Sequence, residues 1–278
     1  MINSTPQVVT IAGSDCGGCA GLQADLKSFQ ARHAFGMSII VALTAQNTQG
    51  VQASLPLPND FVTNQFKSIA DDYGVKACKT GMLATPELVK TVADNLKKYN
   101  FGPLVLDPVM IAKGGHPLLE KEAIDCLIRD LLPLAVIITP NLPEAEVLLE
   151  RNIETDKDII QAAKDLQGLG AKHIVIKGGH SRGDQSRDYV LLENGQAFWM
   201  ESPRIDTENT HGTGDTFSAC IAAELAKGSD PKQAIIIGKQ YIQGAIEDGL
   251  HVGHGHGPVN HWAVLSNRVK LIPAGEAL

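Results

Sequence analysis

Short apolar, β-branched runs alternate with helix-length amphipathic segments along most of the chain, and that alternation restricts the possible folds more than any other feature. Residues 8–12, 37–45, 75–79, 104–107, 135–139 and 173–177 read as strands. Residues 22–33, 60–72, 86–99, 120–131 and 156–168 read as helices, and Pro140-Asn141-Leu142-Pro143-Glu144 opens another. Apolar strands spaced by helices require a mostly parallel sheet covered on both faces, so the fold class is α/β, doubly wound. Residues 187–192 and 196–200, split by Glu193-Asn194-Gly195, read instead as a hairpin at the sheet edge. Residues 216–227 and 231–248 supply the last two helices. With no internal repeat or Ser/Pro-rich linker, residues 1–278 are read as a single domain.

Composition narrows function by exclusion. A formal charge of -7 with dispersed acidic residues offers no basic surface to nucleic acid. The longest nearly apolar run, residues 37–45, is far short of a membrane span. The first residues, Met1-Ile2-Asn3-Ser4-Thr5-Pro6, lack the charged and apolar regions of a secretory signal. The expectation is a cytoplasmic protein with no nucleic-acid or membrane partner. Five cysteines are too few, and odd in number, for a disulfide framework. Cys16-Gly17-Gly18-Cys19 has the spacing of a redox pair or half a zinc site, yet no second Cys pair or Cys-x-x-His follows nearby. A tight glycine loop after the first strand fits it better.

Chemistry concentrates in Asn209-Thr210-His211-Gly212-Thr213-Gly214-Asp215-Thr216-Phe217-Ser218-Ala219. A Gly-rich turn there opens the helix at 216, leaving the amides of Gly212 to Asp215 as N-terminal donors. Such donors suit a transferring phosphoryl group, and Asp215 beside them can take the proton of an attacking hydroxyl. Phosphoryl transfer to an alcohol follows; an ordinary helix cap is the alternative. Doubly wound sheets bind ligands at the carboxyl ends of their strands. Six polar or glycine-bearing segments fall there: Gly13-Ser14-Asp15, Gln46-Asn47-Thr48, Lys79-Thr80-Gly81-Met82, Asp107-Pro108-Val109-Met110, Thr139-Pro140-Asn141 and Lys177-Gly178-Gly179.

Those segments, extended to Ala12-Gly13-Ser14-Asp15, Gly21-Leu22-Gln23-Ala24-Asp25-Leu26-Lys27, Ala42-Leu43-Thr44-Ala45-Gln46-Asn47-Thr48, Thr139-Pro140-Asn141-Leu142-Pro143-Glu144-Ala145, Lys177-Gly178-Gly179-His180 and Thr210-His211-Gly212-Thr213-Gly214, resemble the hydroxymethylpyrimidine and phosphomethylpyrimidine kinases of thiamine biosynthesis. The resemblance runs from about residue 8 to residue 261. It implies a ribokinase-like fold, shared with the pyridoxal kinases, and ATP-dependent phosphorylation of 4-amino-5-hydroxymethyl-2-methylpyrimidine and of its monophosphate. Pyridoxal is the alternative acceptor. By position it implies that Gly13, Asp25, Gln46, Met82 and Val109 bind the pyrimidine, that Asn141 and Glu144 attend to Mg2+ and the phosphates of ATP, and that Asp107 is a second carboxylate beside the metal. Lys177 then contacts a phosphate, and Lys239 comes close to the nucleotide, although read alone Lys239 is a solvated helix-face residue. Gly212, Thr213 and Gly214 hold the γ-phosphoryl group while Asp215 receives the hydroxymethyl proton. Gly253-His254-Gly255-His256-Gly257-Pro258-Val259 matches a family segment and reads as a nucleotide-side loop rather than a metal module built on His251, His254, His256 and His261. A homodimer is expected. Two departures stand out: the pyrimidine kinases commonly carry Cys where this chain has Asp215, and Cys16-Gly17-Gly18-Cys19 replaces a segment closer to Pro-Ser-Gly-Gly.

Overall fold

Successive residues of a strand point to opposite faces, and β1 (Gln7–Asp15) serves two cores in this way: Val9 and Ile11 join one, Val8 the other. The computed structural model describes residues 5–110, 120–179 and 183–274. From β1 the chain passes through α1 (Gly21–Ala31) to β2 (Phe35–Asn47), turns into β3 (Gly50–Pro56), and continues through α2 (Asn59–Asp72) to β4 (Ala77–Thr80). Next come α3 (Pro86–Lys98), β5 (Leu104–Leu106), α4 (Lys121–Cys126), β6 (Ala135–Ile138), α5 (Leu142–Leu149), α6 (Asp156–Gly168) and β7 (His173–Lys177). The hairpin β8 (Gln185–Leu191) and β9 (Ala197–Pro203) precedes α7 (Thr213–Ala226), α8 (Pro231–Glu247) and β10 (Lys270–Pro273).

Among the described residues, ten strands form one sheet in the order β10-β9-β8-β7-β6-β5-β4-β1-β2-β3. The centre, from β7 to β2, is parallel, and antiparallel strands close both edges. Residues of α2 to α6 pack on one face, and α1, α7 and α8 on the other, around Phe29, Phe217 and Ile235. Helix starts follow local chemistry. Thr85 caps α3 by accepting from the Leu88 amide, with Pro86 in the first turn, and Thr155 with Asp158 forms a capping box on α6.

The expected doubly wound sheet is present, with four differences. β3 was not expected, since its residues after Gly50 are all exposed and carry no buried face to pattern them. β10, mostly exposed, was missed for the same reason. The helix expected over 120–131 keeps α-geometry only to Cys126, then widens over Leu127–Leu131 and tightens over Leu132–Leu134, where Pro133 cannot continue it. Finally, α7 begins at Thr213 rather than 216, which puts Asp215 inside its first turn.

Candidate active site

Chain order along the sheet reverses between β1 and β4, because β1 leads outward to β2 while β4 leads the other way to β5. In open α/β sheets such a switch point makes a crevice at the carboxyl strand ends. The first turn of α7 closes over it. Gly212, left-handed at φ 78°, lets the chain enter: a Cβ there would sit 2.0 Å from the Cys19 carbonyl oxygen. The first helical hydrogen bond runs from the Thr216 amide to the Gly212 carbonyl, so the amides of Thr213, Gly214 and Asp215 have no carbonyl of their own helix to meet.

Beneath this turn lies a buried ionic cluster. Thr10 on β1 and Lys79 on β4 are register partners and point toward α1 and α7. The Lys79 Nζ donates to both Asp25 oxygens at 2.8 and 3.0 Å and to Asp215 Oδ1 at 2.9 Å. Thr10 Oγ1 donates to Asp25 Oδ2. The side chains of Lys79 and Asp25 are fully buried, whereas that of Asp215 keeps 15% of its surface. Burial works against the Lys79 charge, but Asp215 and Asp25 outweigh it and hold the ammonium pKa above its ordinary value. Burial likewise pushes the Asp25 carboxyl up, against the pull of Lys79. It would do the same to Asp215, where Lys79, the Gly21 amide and His211 together win and hold the carboxyl below its ordinary range. Asp215 is therefore ionised near neutrality.

On the other side of the crevice, Lys177 at the end of β7 donates to Asp107 Oδ1 at 3.0 Å and keeps 17% side-chain exposure. Thr139 Oγ1 and Ser218 Oγ donate to the two Asp107 oxygens at 3.1 and 3.2 Å. A Cβ on Gly214 would lie 3.2 Å from Asp107 Oδ2 and 3.3 Å from Lys177 Nζ, so this pair stands directly behind the α7 turn. Asn141 and Glu144 form a capping box on α5: Asn141 Oδ1 accepts from the Glu144 amide at 2.9 Å, and Glu144 Oε2 from the Asn141 amide at 2.8 Å. Burial pushes the Glu144 carboxyl up to about 7, with Lys177 opposing and Asp107 and Asp215 adding to the rise.

The acceptor side is framed by β1 and β2. Gly13 donates its amide to the Met82 carbonyl at 3.2 Å, and a Cβ at residue 13 would lie 2.7 Å from Met82 Cε, so these two residues close against each other. Val109, half-buried, follows β5 with its amide turned to the Asp107 carbonyl at 2.9 Å. Gln46 Nε2 lies 2.9 Å from His211 Nε2, tying β2 to the entry of α7. The Cys16–Cys19 loop winds around one carboxylate: Asp15 accepts from the amides of Gly17, Cys19 and Ala20 at 2.8, 2.9 and 2.9 Å. Both thiols are free. The Cys16 Sγ meets the Gln46 backbone, and burial with Asp15 nearby raises the Cys19 pKa. The Gly253–Gly257 segment, expected on the nucleotide side, rests on the β2–β3 turn, where Thr48 Oγ1 accepts from the amides of His254 and Gly255 at 3.2 and 3.1 Å. Among the described residues no three His, Cys, Asp or Glu side chains converge as a metal-holding group.

A profile of the phosphomethylpyrimidine kinase family matches residues 15–260. The chain belongs to that family. The hydroxymethylpyrimidine/phosphomethylpyrimidine kinase of Haemophilus influenzae is 53% identical over 94% of this chain and 98% of its own length. The enzyme of the same name from Bacillus subtilis is 43% identical over 94% and 96%. Among solved structures, the pyridoxal kinase of Bacillus subtilis in complex with ADP superposes with a TM-score of 0.86 at 38% identity, covering 93% of this chain and 98% of that one. The phosphomethylpyrimidine kinase of Clostridium difficile does so with a TM-score of 0.77 at 40% identity, covering 86% and 99%.

Within this kinase, Gly212, Thr213, Gly214 and Asp215 form the entry and first turn of α7, Asp107 and Lys177 stand beside Gly214, and Glu144 lies within electrostatic reach of Lys177, Asp107 and Asp215. Two of the expected site residues are enclosed by protein partners. Asp25 was to read the pyrimidine, but it is wholly enclosed with both oxygens held by Lys79 and Thr10. Lys239 was placed near the nucleotide by the resemblance and, read alone, on a solvated helix face. It is instead 5% exposed and paired with Asp188 at 2.8 Å, which also accepts the Gly178 amide, so it braces the loop after β7. His180 of that loop lies outside the described residues. Lys79 itself was missed as a functional residue. Its signal was a lysine closing an apolar strand run, where burial requires a carboxylate partner.

Proposed function

We propose that the enzyme transfers the γ-phosphoryl group of ATP to the hydroxymethyl oxygen of 4-amino-5-hydroxymethyl-2-methylpyrimidine, and then phosphorylates the resulting monophosphate, in thiamine biosynthesis. The reading is carried by Asp215, whose carboxylate has Oδ1 fixed on Lys79 and retains exposure in the α7 first turn. An acceptor hydroxyl at its other oxygen is oriented toward a phosphoryl group held by the amides of Thr213 and Gly214. In a loose transition state, orientation and charge stabilisation matter more than early proton removal, so an ionised, weakly basic carboxylate suffices. Gly13, Met82, Val109 and Gln46 supply the surface for the ring, with Gln46 as its polar reader.

Mg2+ is placed in this proposal on the opposite side, near Asp107 and Glu144, whose carboxylates do not converge as a direct ligand cluster among the described residues. Because the Asp107 oxygens already accept from Lys177, Thr139 and Ser218, a partly hydrated ion reached through water suits this donor set. Bound there, it would offset charge on the phosphates. We further propose a cytoplasmic homodimer: β3 is a fully exposed edge after Gly50, and its Val51 and Leu55, with Leu43 on the neighbouring β2, are 45%, 61% and 41% exposed.

Pyridoxal is the second acceptor worth testing, because pyridoxal kinases superpose on this chain. The test is kcat/KM for the pyrimidine alcohol, its monophosphate and pyridoxal on one preparation, with 31P NMR of the products. Both pyrimidine substrates should be used, and the alcohol should exceed pyridoxal. A ratio favouring pyridoxal exchanges the two readings, and no ATP consumption with any of the three overturns both.

A further inference from the structure

The buried side of the Asp215 cluster holds more charge than a simple base and its counter-ion would need. Four elements face it: Thr10 from β1, Asp25 and the Gly21 amide from α1, Lys79 from β4 and Asp215 from the start of α7, with the Gly21 amide bonded to the Asp215 carboxylate. The charges next removed are His211 beside Asp215, and Asp107 behind Lys79. Lys79 divides itself between two carboxylates, giving Asp25 two contacts at 2.8 and 3.0 Å and Asp215 one at 2.9 Å. Thr10 completes the hold on Asp25, which has no surface for a ligand to touch.

Resting on the kinase reading above, we infer that Asp25 is a positioning residue for the transfer step: it holds Lys79 back so that the ammonium engages only one oxygen of Asp215 and leaves the other for the acceptor hydroxyl. A buried cation collects every anionic contact within reach, since none is supplied by water. Without the Asp25 charge, Lys79 would turn fully onto Asp215 and occupy the oxygen that the substrate needs. Asp25 thereby acts on the reaction without meeting the substrate. That separates it from a ring-reading residue, whose loss weakens substrate binding.

The test is steady-state kinetics of Asp25→Asn beside wild type, with both substrates varied. The expected result is a fall in kcat of about tenfold or more, with KM for the pyrimidine alcohol and for ATP within about twofold, as for a contact realised only in the transition state. Thr10→Val, which is nearly isosteric, should move kcat the same way by about two- to fivefold, and keeps the test decisive if Asp25→Asn does not fold. A raised KM for the pyrimidine at near-normal kcat, in either variant, overturns the inference. So does a crystal structure of wild type with the pyrimidine alcohol in which an Asp25 oxygen lies within hydrogen-bonding distance of the ring. Wild type inactive on every acceptor would instead overturn the kinase reading, so the two failures are distinct.

Discussion

Lys79 and Lys177 lie at the carboxyl ends of two strands of the same sheet and each meets carboxylates, but they are held in opposite ways. Lys79 has no exposed side-chain surface and is shared by Asp25 and Asp215, whereas Lys177 makes one carboxylate contact, to Asp107, and keeps 17% of its surface. For both, burial alone would lower the pKa and the neighbouring carboxylates reverse it. The shared residue type therefore hides two tasks. A cation enclosed between two anions sets geometry, since moving it would strand a buried charge. A half-open cation with one partner is available to a ligand.

The comparison can be broken first at the carboxylate that joins its halves. Asp215→Ala should reduce kcat by about 10²–10⁴-fold with little change in ATP affinity, measured by calorimetry, because the carboxylate serves the acceptor proton. Unchanged turnover would remove Asp215 from the chemistry. Next come the lysines. Lys79→Met should destabilise by about 3–5 kcal/mol, seen as a lowered denaturation midpoint, because Asp25 is left buried and unpaired. Lys177→Met should leave the midpoint closer to wild type and raise KM for ATP by about tenfold or more, as a charged phosphate contact is lost. The opposite pattern would mean that exposure does not distinguish the two roles.

A smaller effect concerns His261, whose Nε2 lies 3.0 Å from Thr216 Oγ1 just behind the α7 first turn. Burial lowers its pKa to about 4, with Lys27 adding and Asp215 opposing. The unfolded chain binds this proton near pH 6.5 and the folded chain resists it until about 4, so stability is complete above 6.5 and falls as pH drops through that window. The loss between pH 7 and pH 5 is about 2 kcal/mol, and His261→Asn should flatten that part of the stability profile. An unchanged slope would show that the imidazole is not the titrating group. Smallest is Gln46→Ala, expected to weaken binding of the pyrimidine by about 1 kcal/mol with a normal melting temperature. Wild-type affinity by calorimetry would take Gln46 out of the pocket.

Much of this was legible in the chain. The strand and helix alternation pointed to the parallel centre because those strands are buried on both faces, and Gly212-Thr213-Gly214-Asp215 marked the glycine-rich entry to α7. What failed was the assumption that charged residues lie outside. Leu22, Asp25 and Phe29 fall on one stripe of α1, and Ile235, Lys239 and Ile242 on one stripe of α8, so spacing already placed both charges inward. Their partners lie far away in sequence: Lys79 for Asp25 and Asp188 for Lys239. Only the fold brings them together, and no local pattern announces which carboxylate a buried lysine will find. β3 escaped for the converse reason, as an exposed edge has no inward face to leave a period in the sequence.

The reciprocal pair Asn141 and Glu144 starts helix α5 with the same side chains that border the charged crevice. In a saturation mutagenesis screen these two positions should answer to two independent selections. Replacements that still start the helix, such as Ser or Asp at 141 and Gln at 144, should survive a screen for soluble protein and fail one for turnover. The gap between the two survivor sets measures how much of this corner serves architecture and how much serves the ligand.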